Sequence, residues 1–171
     1  MTSLLLNGLP RVYQISVSHG GVPKLAVSEA RITMLGVEGD CQQNPDIHGG
    51  PERAVCLFSF EVIQALQAEG HSIAPGSAGD NVTLAGLDWF SFKPGDRIGL
   101  GPVRLELVSY TAPCAHNRRW FLNGDFSRIS QKKHPGWSRL YARVLTEGLI
   151  RTGDPITGEL LSPHGHKATF L

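Results

Sequence analysis

Cys114 has the surroundings in this chain that most clearly favour chemistry. It stands in "YTAPCAHNRRWF", after an apolar, strand-like run and Pro113, and is followed by a histidine and two arginines. A helix beginning near Cys114 would place the thiol at a helix N-terminus among cations, where a thiolate is stabilised. A thiolate is a nucleophile or a ligand for a soft metal. Free cysteines are also commonly small buried hydrophobes, so the local sequence leaves both interpretations open.

The other two cysteines have different surroundings. Cys56 lies inside the apolar run "AVCLF", which predicts a core position, whereas Cys41 follows the polar segment "EGD", which predicts an exposed one. Three widely spaced cysteines without a CxxC pair argue against a disulfide framework, a zinc knuckle or an iron–sulfur site. Each cysteine is therefore interpreted separately.

The segment "DIHGGPER" has the composition of a ligand-binding loop. His48 precedes Gly49 and Gly50, whose missing side chains let a ligand approach the backbone and expose N–H groups to an anion. Arg53 would add a bidentate clamp for a phosphate. A loop histidine is otherwise simply solvated, and this alternative stays open on the local sequence.

Two polar turns stand next to predicted strands. "GVEGD" ends at Asp40, and "GSAGDN" places Asn81 directly before the strand "NVTLAG". Both segments are plain turns on one interpretation. Because a strand-rich fold gathers loops from distant segments at one end, we predict instead that His48, Asn81 and Cys114 share one cleft.

Short apolar runs separated by Gly, Pro, Asn and Asp predict a mainly β fold with a few helices, a barrel or a sandwich. The helical spacing in "FEVIQALQAEG" predicts one helix that stops at Gly70, and two more are predicted near Cys114 and Phe126. The final "SPHGHKATFL" is polar and aperiodic, which predicts a loose end. The predicted strands are "RVYQISVS", "RITMLGV", "RAVCLFSF", "NVTLAG", "DWFSF", "DRIGLG", "VRLELVSY" and "YARVLTEGLI".

Length and charge limit the classes of function. The 171 residues favour a single domain, and a formal charge of +1 does not provide the basic field that nucleic-acid binding requires. The N-terminus lacks the features of a signal peptide, and no stretch approaches the roughly 20 apolar residues of a membrane span. We therefore expect a cytoplasmic protein with a small-molecule ligand, no nucleic-acid partner and no membrane contact.

The motifs "GVEGD", "DIHGGPERAV", "GDN", "PC", "YARVLTEGLI" and "GDPI" together resemble the MOSC domain, named for the C-terminal part of molybdenum cofactor sulfurases. The likeness extends from about Lys24 to about Ile156, inside one domain that spans residues 1–171. It is strongest to small stand-alone bacterial proteins of the type associated with resistance to N-hydroxylated base analogues. The resemblance implies a MOSC-like mixed β-barrel and a cysteine, matched here by Cys114, that ligates molybdenum or carries sulfur.

The resemblance also implies a pyranopterin cofactor, whose phosphate and polar ring need backbone donors and cations, and "HGGPER" supplies both. If Arg53 points away from the cavity, Lys24 and Arg31 are the next candidates for the phosphate. Relatives often read "PRxPC" where this chain has "YTAPC", so one expected arginine is missing. The predicted cofactor-binding residues are Lys24, Arg31, Asp40, His48, Gly49, Gly50, Arg53, Asn81, Cys114 and Arg118.

The implied activity is reduction of N-hydroxylated compounds such as hydroxylaminopurine-type bases at a molybdenum centre. Cys114 would be the metal ligand and a catalytic residue, with His48 as the second catalytic residue and His116 as a further proton donor. The chain has no GxGxxG motif, so an external electron-donor reductase is expected, and a homo-oligomer is possible. The alternatives are a non-catalytic carrier of cofactor or persulfide on Cys114, and a thiol hydrolase that uses Cys114, His48 and Asn81.

Overall fold

The computed structural model describes residues 8–41, 49–161 and 167–170. These residues form twelve strands, one α-helix and five short 3₁₀ helices. The strands are β1 (Arg11–Val17), β2 (Leu25–Val27), β3 (Glu29–Thr33), β4 (Gly36–Val37), β5 (Val55–Ser59), β6 (Val82–Ala85), β7 (Arg97–Leu100), β8 (Val103–Tyr110), β9 (Leu140–Thr146), β10 (Gly148–Arg151), β11 (Ile156–Leu161) and β12 (Lys167–Phe170). The helix α1 is Phe60–Ala68, and the 3₁₀ helices are Pro51–Arg53, Trp89–Ser91, Ala115–Trp120, Leu122–Gly124 and Phe126–Ile129.

Two sheets organise the chain. The larger has nine strands in the order β12-β11-β7-β8-β9-β5-β6-β1-β2, and the smaller has the order β10-β3-β4. Strands β5 and β6 pair in parallel, whereas the other ladders between described strands are antiparallel. Strand β9 lies between β8 and β5 near the middle of the large sheet. The prediction of a mainly β fold with few helices is confirmed.

The expectation of a closed barrel is corrected. Strands β2 and β12 are the two edges of the large sheet, and no ladder joins them within the part of the chain that the structure describes. Closure requires that the first and last strands pair along their length. Strand β2 has only three residues, and its Leu25 side chain is exposed rather than packed against a facing strand.

The predicted helix over "FEVIQALQAEG" is confirmed as α1. Val62, Ile63 and Leu66 are buried in the hydrophobic core, as their helical spacing requires. The helix ends at Ala68, Gly70 follows with a φ of 96°, and the His71 and Gly70 N–H groups donate to the carbonyls of Leu66 and Gln67 respectively. This hydrogen-bond pattern satisfies the last carbonyls of a helix and favours glycine at the left-handed position.

Two predicted strands differ in the structure. "DWFSF" contains a 3₁₀ turn, Trp89–Ser91, in which Trp89 and Phe92 are buried and Phe90 is exposed. Burial three positions apart fits a 3₁₀ turn, whereas a strand would bury alternate residues. "YARVLTEGLI" divides at Glu147 into β9 and β10, which belong to different sheets.

Three further local predictions differ from the structure. The helices predicted near Cys114 and Phe126 are short 3₁₀ helices, Ala115–Trp120 and Phe126–Ile129. The C-terminal stretch predicted to be loose includes β12, which pairs antiparallel with β11. The polar residues of β12 gave no strand pattern in the sequence, because an edge strand exposes much of its surface. In the described ranges, none of the helices has both the length and the apolar character of a membrane span.

Ser59 connects β5 to α1, and its replacement by alanine tests this junction. The Ser59 hydroxyl accepts a hydrogen bond of 3.2 Å from the Val62 N–H and thereby caps the helix. We expect Ser59→Ala to lower the free energy of unfolding by about 1 kcal/mol, measured by urea denaturation, because the first turn loses its cap. The exposed Ser28 provides the control, and Ser28→Ala should leave the unfolding midpoint unchanged. Equal midpoints for both variants would contradict the capping role.

Candidate functional site

A pocket of about 110 Å³ opens near the middle of the large sheet, where β5, β6 and β9 begin and β8 ends. Its polar lining comes from segments that are far apart in the chain. They contribute Lys24, Arg53, Asn81, Cys114, Asn117 and Arg139. The structure therefore brings the predicted residues Asn81 and Cys114 into one pocket, whereas His48 lies outside the described residues.

A hydrogen-bonded network fixes one wall of the pocket. The Lys24 ammonium pairs with the Asp40 carboxylate, and only 9% and 4% of these two side chains are exposed. The same carboxylate accepts hydrogen bonds of 2.9 Å from the Asn81 amide and from the Ser18 N–H. The Asn81 amide oxygen accepts 3.1 Å from the Cys56 N–H. Asn81 thus links the ion pair to the start of β5, and the Lys24 charge is neutralised within the protein.

Gly76 holds Lys24 in this position. The Lys24 N–H donates to the Gly76 carbonyl at 2.9 Å, and Gly76 has a φ of 81°. A Cβ at Gly76 would collide with the Lys24 carbonyl oxygen. Only glycine combines this conformation with so close an approach of two backbones.

Arg139 is a buried cation that also lines the pocket. It precedes β9, is 5% exposed, and donates to the carbonyls of Ala78 and Ala112. Its Nε–H has no hydrogen-bond partner among the described residues, and no described carboxylate lies within salt-bridge distance of it. Asp80 is close enough for Arg139 to act on its charge, yet burial raises the pKa of that carboxyl. Arg139 therefore brings a positive charge to the pocket without a matching carboxylate.

The three cysteines all line this pocket, with different exposure. Cys56 is buried, its sulfur lies 4.0 Å from the Thr111 hydroxyl, and burial raises the pKa of its thiol. Cys114 is partly exposed, and Cys41 is exposed at the pocket rim. The predictions of a core Cys56 and an exposed Cys41 agree with this placement, although Cys41 lies closer to the candidate site than its sequence indicates.

The chain after Cys114 forms a six-residue 3₁₀ helix instead of an α-helix. The Asn117 N–H donates to the Cys114 carbonyl at 2.9 Å, closing its first turn. Residues three apart lie on the same side of a 3₁₀ helix, so Asn117 stands beside Cys114. His116 also lines the pocket and is exposed.

Arg53 and Tyr141 form part of the pocket mouth. The Arg53 guanidinium carbon lies 5.8 Å from the centre of the Tyr141 ring, within the range of a cation–π contact. Burial raises the pKa of Tyr141 to about 12, so its hydroxyl remains protonated at neutral pH. Gly50 precedes the turn that carries Arg53 and has a φ of 90°. Gly49 and Gly50 are near this turn without lining the pocket.

Two of the predicted cofactor-binding residues lie elsewhere. Arg31 is on β3 of the small sheet, where its exposed side chain pairs with Glu38 at 3.9 Å. Arg118 is exposed and stacks on Phe126, with its guanidinium carbon 5.7 Å from the ring centre. Neither lines the pocket. Arg31 lies away from the pocket because β3 belongs to the small sheet. The sequence did not separate this sheet from the large one.

Sequence reasoning did not identify Arg139 or Asn117. In "SRLYARV" an arginine before a strand resembles an ordinary surface charge. Asn117 stands three positions after Cys114, a spacing that shares a face in both an α-helix and a 3₁₀ helix, but an asparagine between a histidine and two arginines gives no signal of burial. The position of Arg139 depends on the pairing of β9 with β8 and β5, which no local signal reveals.

The donor set limits how a metal could be held. The described residues contain no group of three or more His, Cys, Asp or Glu side chains placed to bind a metal ion. What the pocket offers is a partly exposed thiol, cationic side chains and amides. Such a set suits an anionic organic ligand, or a metal that brings most of its own ligands, better than a bare ion.

Known proteins resemble this chain in sequence and fold. A family model for the MOSC domain matches residues 44–157. The chain is 27% identical to the uncharacterized protein YflK of Bacillus subtilis, over 85% of this chain and 65% of that protein. It is also 27% identical to YiiM of Escherichia coli, over 78% of this chain and 60% of that protein. It thus spans less than two thirds of the length of either relative.

Solved structures show the same fold. The crystal structure of YiiM from Geobacillus stearothermophilus superposes with a TM-score of 0.68 at 23% identity, covering 86% of this chain and 73% of that one. The YuaD protein of Bacillus subtilis gives a TM-score of 0.64 at 18% identity, covering 86% and 93%. The family-model match covers most of the chain, including the pocket residues from Arg53 to Tyr141. This protein belongs to the MOSC domain family.

Proposed function

We propose that this chain binds a molybdenum–pyranopterin cofactor in the pocket, with Cys114 as a metal ligand, and reduces N-hydroxylated compounds to amines. The MOSC family is associated with the molybdenum cofactor. The observation that carries the proposal is the buried Arg139, which has no described carboxylate partner and lines the same pocket as the Cys114 thiol. An anionic ligand that also carries a soft metal would satisfy both groups.

The charges favour an anion. A buried cation is costly to desolvate unless a negative group compensates it. Lys24 has its counter-ion in Asp40, whereas Arg139 has only carbonyl oxygens as partners among the described residues. Arg53 adds a second cation at the mouth. A phosphate between Arg139 and Arg53 would receive charge-assisted hydrogen bonds.

The thiol fits the proposed metal. Thiolates are soft ligands, and Cys114 reaches the pocket while remaining partly exposed. Cys56 is less suitable because burial raises the pKa of its thiol and keeps it protonated. One protein thiolate is sufficient when a dithiolene cofactor supplies other ligands, which agrees with the absence of a larger cluster among the described residues. When bound, the cofactor supplies the two-electron removal of oxygen from nitrogen.

The chain's own residues would bind the substrate, orient it and supply its protons. In the overall reaction the N–O bond of R–NHOH breaks, two electrons and two protons enter, and R–NH₂ and water leave. The electrons would come from an external reductase. His116 is exposed at the mouth and can pass protons inward. Asn81 and Lys24 hold the wall against which a planar ligand would rest.

A sulfur or cofactor carrier is the second candidate. It is favoured by Cys41 and Cys114, two cysteines that are not fully buried and line one pocket. A persulfide on Cys114, detected by release of thiocyanate with cyanide, together with no reduction of hydroxylamines, would favour the carrier. The thiol hydrolase is not supported, because both ends of the Asn81 amide are engaged by Cys56 and Asp40.

The Cys114→Ser variant tests the metal ligand. We expect molybdenum per chain, measured by elemental analysis after expression with molybdate, to fall at least tenfold because a hydroxyl is a poor ligand for a soft metal. Reduction of benzamidoxime with reduced methyl viologen should fall in parallel.

The matched control is Cys56→Ala in the same pocket. This variant should keep its molybdenum and lose on the order of 1 kcal/mol of stability, because it removes a small buried group. Full molybdenum occupancy in Cys114→Ser would exclude Cys114 as a required ligand.

Inorganic phosphate tests the anion site in cofactor-free protein. We expect phosphate to raise the thermal unfolding midpoint of the wild type, because a ligand that binds only the folded state stabilises it. Arg139→Gln should remove most of this shift, and Arg53→Gln, which leaves the buried contacts of Arg139 intact, should reduce it. Arg151→Gln changes an exposed arginine of the small sheet and should keep the full shift. An equal phosphate shift in all four proteins would contradict the anion role.

A further inference from the structure

Asn117 is a buried amide with no hydrogen-bond partner for its side chain. It is 1% exposed and lines the pocket, and neither its Oδ1 nor its Nδ2 atom has a partner among the described residues. Asn81 is the contrast within the same pocket. It is 4% exposed, and both ends of its amide are engaged. The two asparagines are chemically identical, so their different bonding indicates different roles.

An unpaired buried amide destabilises the free protein unless something binds it. Buried polar groups are nearly always hydrogen-bonded, and a donor and an acceptor left together in one side chain point to a ligand that supplies both partners. The Asn117 N–H donates to the Cys114 carbonyl, and both residues line the same pocket. A ligand bound at Cys114 would therefore lie close to Asn117.

We propose that Asn117 determines substrate specificity by pairing with an amidine unit, in which a ring or imine nitrogen that accepts a hydrogen bond stands next to an N–H that donates one. This inference rests on the proposed function and names a specificity-determining residue of the same site. The amide offers one donor and one acceptor in a plane, and an amidine offers the complement. If the amide is flipped, the donor and acceptor exchange, and an amidine that tautomerises pairs with either arrangement.

The position and charge of Asn117 favour the substrate over the phosphate. The amide is neutral, whereas the cations Arg139 and Arg53 suit the phosphate better. Asn117 lines the same pocket as Cys114, the proposed metal ligand, so a substrate bound for nitrogen–oxygen bond cleavage would lie near both residues. A hydroxylamine on a saturated carbon lacks the second planar nitrogen and would leave one atom of the amide unpaired. A site built to hydrogen-bond a substrate group discriminates strongly against an analogue that lacks it.

The test compares two substrates in the molybdenum-loaded protein. Benzamidoxime carries the amidine unit and N-benzylhydroxylamine does not, and both are reduced with methyl viologen as the electron donor. We expect Asn117→Leu, which keeps the side-chain volume, to lower kcat/KM for benzamidoxime about 10–100-fold, mainly through KM. The value for N-benzylhydroxylamine should change less than about threefold because it never used both amide atoms. Equal losses for the two substrates would overturn the proposal.

Molybdenum content and stability separate the other roles. Asn117→Leu should keep wild-type molybdenum, and a loss of metal would assign Asn117 to the cofactor and overturn the substrate role. The thermal midpoint of Asn117→Leu should equal or exceed that of the wild type, because an orphaned amide is removed. Asn81→Leu should unfold at a lower temperature, because it breaks two hydrogen bonds. A comparable loss in Asn117→Leu would show that Asn117 is structural.

If the wild type reduces neither substrate, the proposed function fails. A binding measurement then still tests the role of Asn117. Isothermal calorimetry at an alkaline pH, where both amines are neutral, compares 2-aminopyridine with aniline, two ligands that differ by the acceptor nitrogen. The wild type should bind 2-aminopyridine at least tenfold more tightly, and Asn117→Leu should remove this difference. Equal affinities of the wild type for both ligands would overturn the role of Asn117.

Discussion

The pocket depends on the Asn81 amide, which hydrogen-bonds to two parts of the chain that are far apart in sequence. On one side it accepts from the Cys56 N–H at the start of β5, and on the other it donates to the Asp40 carboxylate that holds Lys24. Asn81 also stands directly before β6, the parallel partner of β5. Because both ends of the amide are used, the pocket wall is fixed before any ligand arrives, and an entering molecule need not order it.

The two buried cations of the site differ in how their charge is compensated. Lys24 is compensated internally by Asp40, so its charge contributes to the fold and little remains for a ligand. Arg139 is held by carbonyl dipoles that satisfy hydrogen bonds without cancelling its charge. Its unsatisfied charge is a cost to the free protein that an anion can remove. A buried charge without compensation is a feature that is expected at ligand-binding sites.

Local patterns predicted most of the elements and brought part of the candidate site to notice, and failed where position depends on distant pairing. Helix α1 followed from periodicity and a glycine stop, and the sequence singled out Cys114 through its neighbours. Arg139 was missed because its burial arises from β9 entering the sheet between β8 and β5. Asn117 was missed because an asparagine next to charged residues gives no sign in the sequence that it will be buried. Closure of the barrel was overestimated because the sequence does not show which strands become edges.

The place of β9 in the large sheet sets the order in which the protein can acquire its ligand. Strand β9 separates β8 from β5, so the centre of the sheet remains open until the residues after Arg139 have left the ribosome. Contacts between such distant segments form late and slowly in folding. A nascent chain that has produced Cys114 still lacks the buried arginine and the strand that close the pocket. A ligand can therefore enter the complete pocket only after the residues up to Tyr141 have been synthesised, and a chain released before them would expose the Cys114 thiol without the rest of the pocket around it.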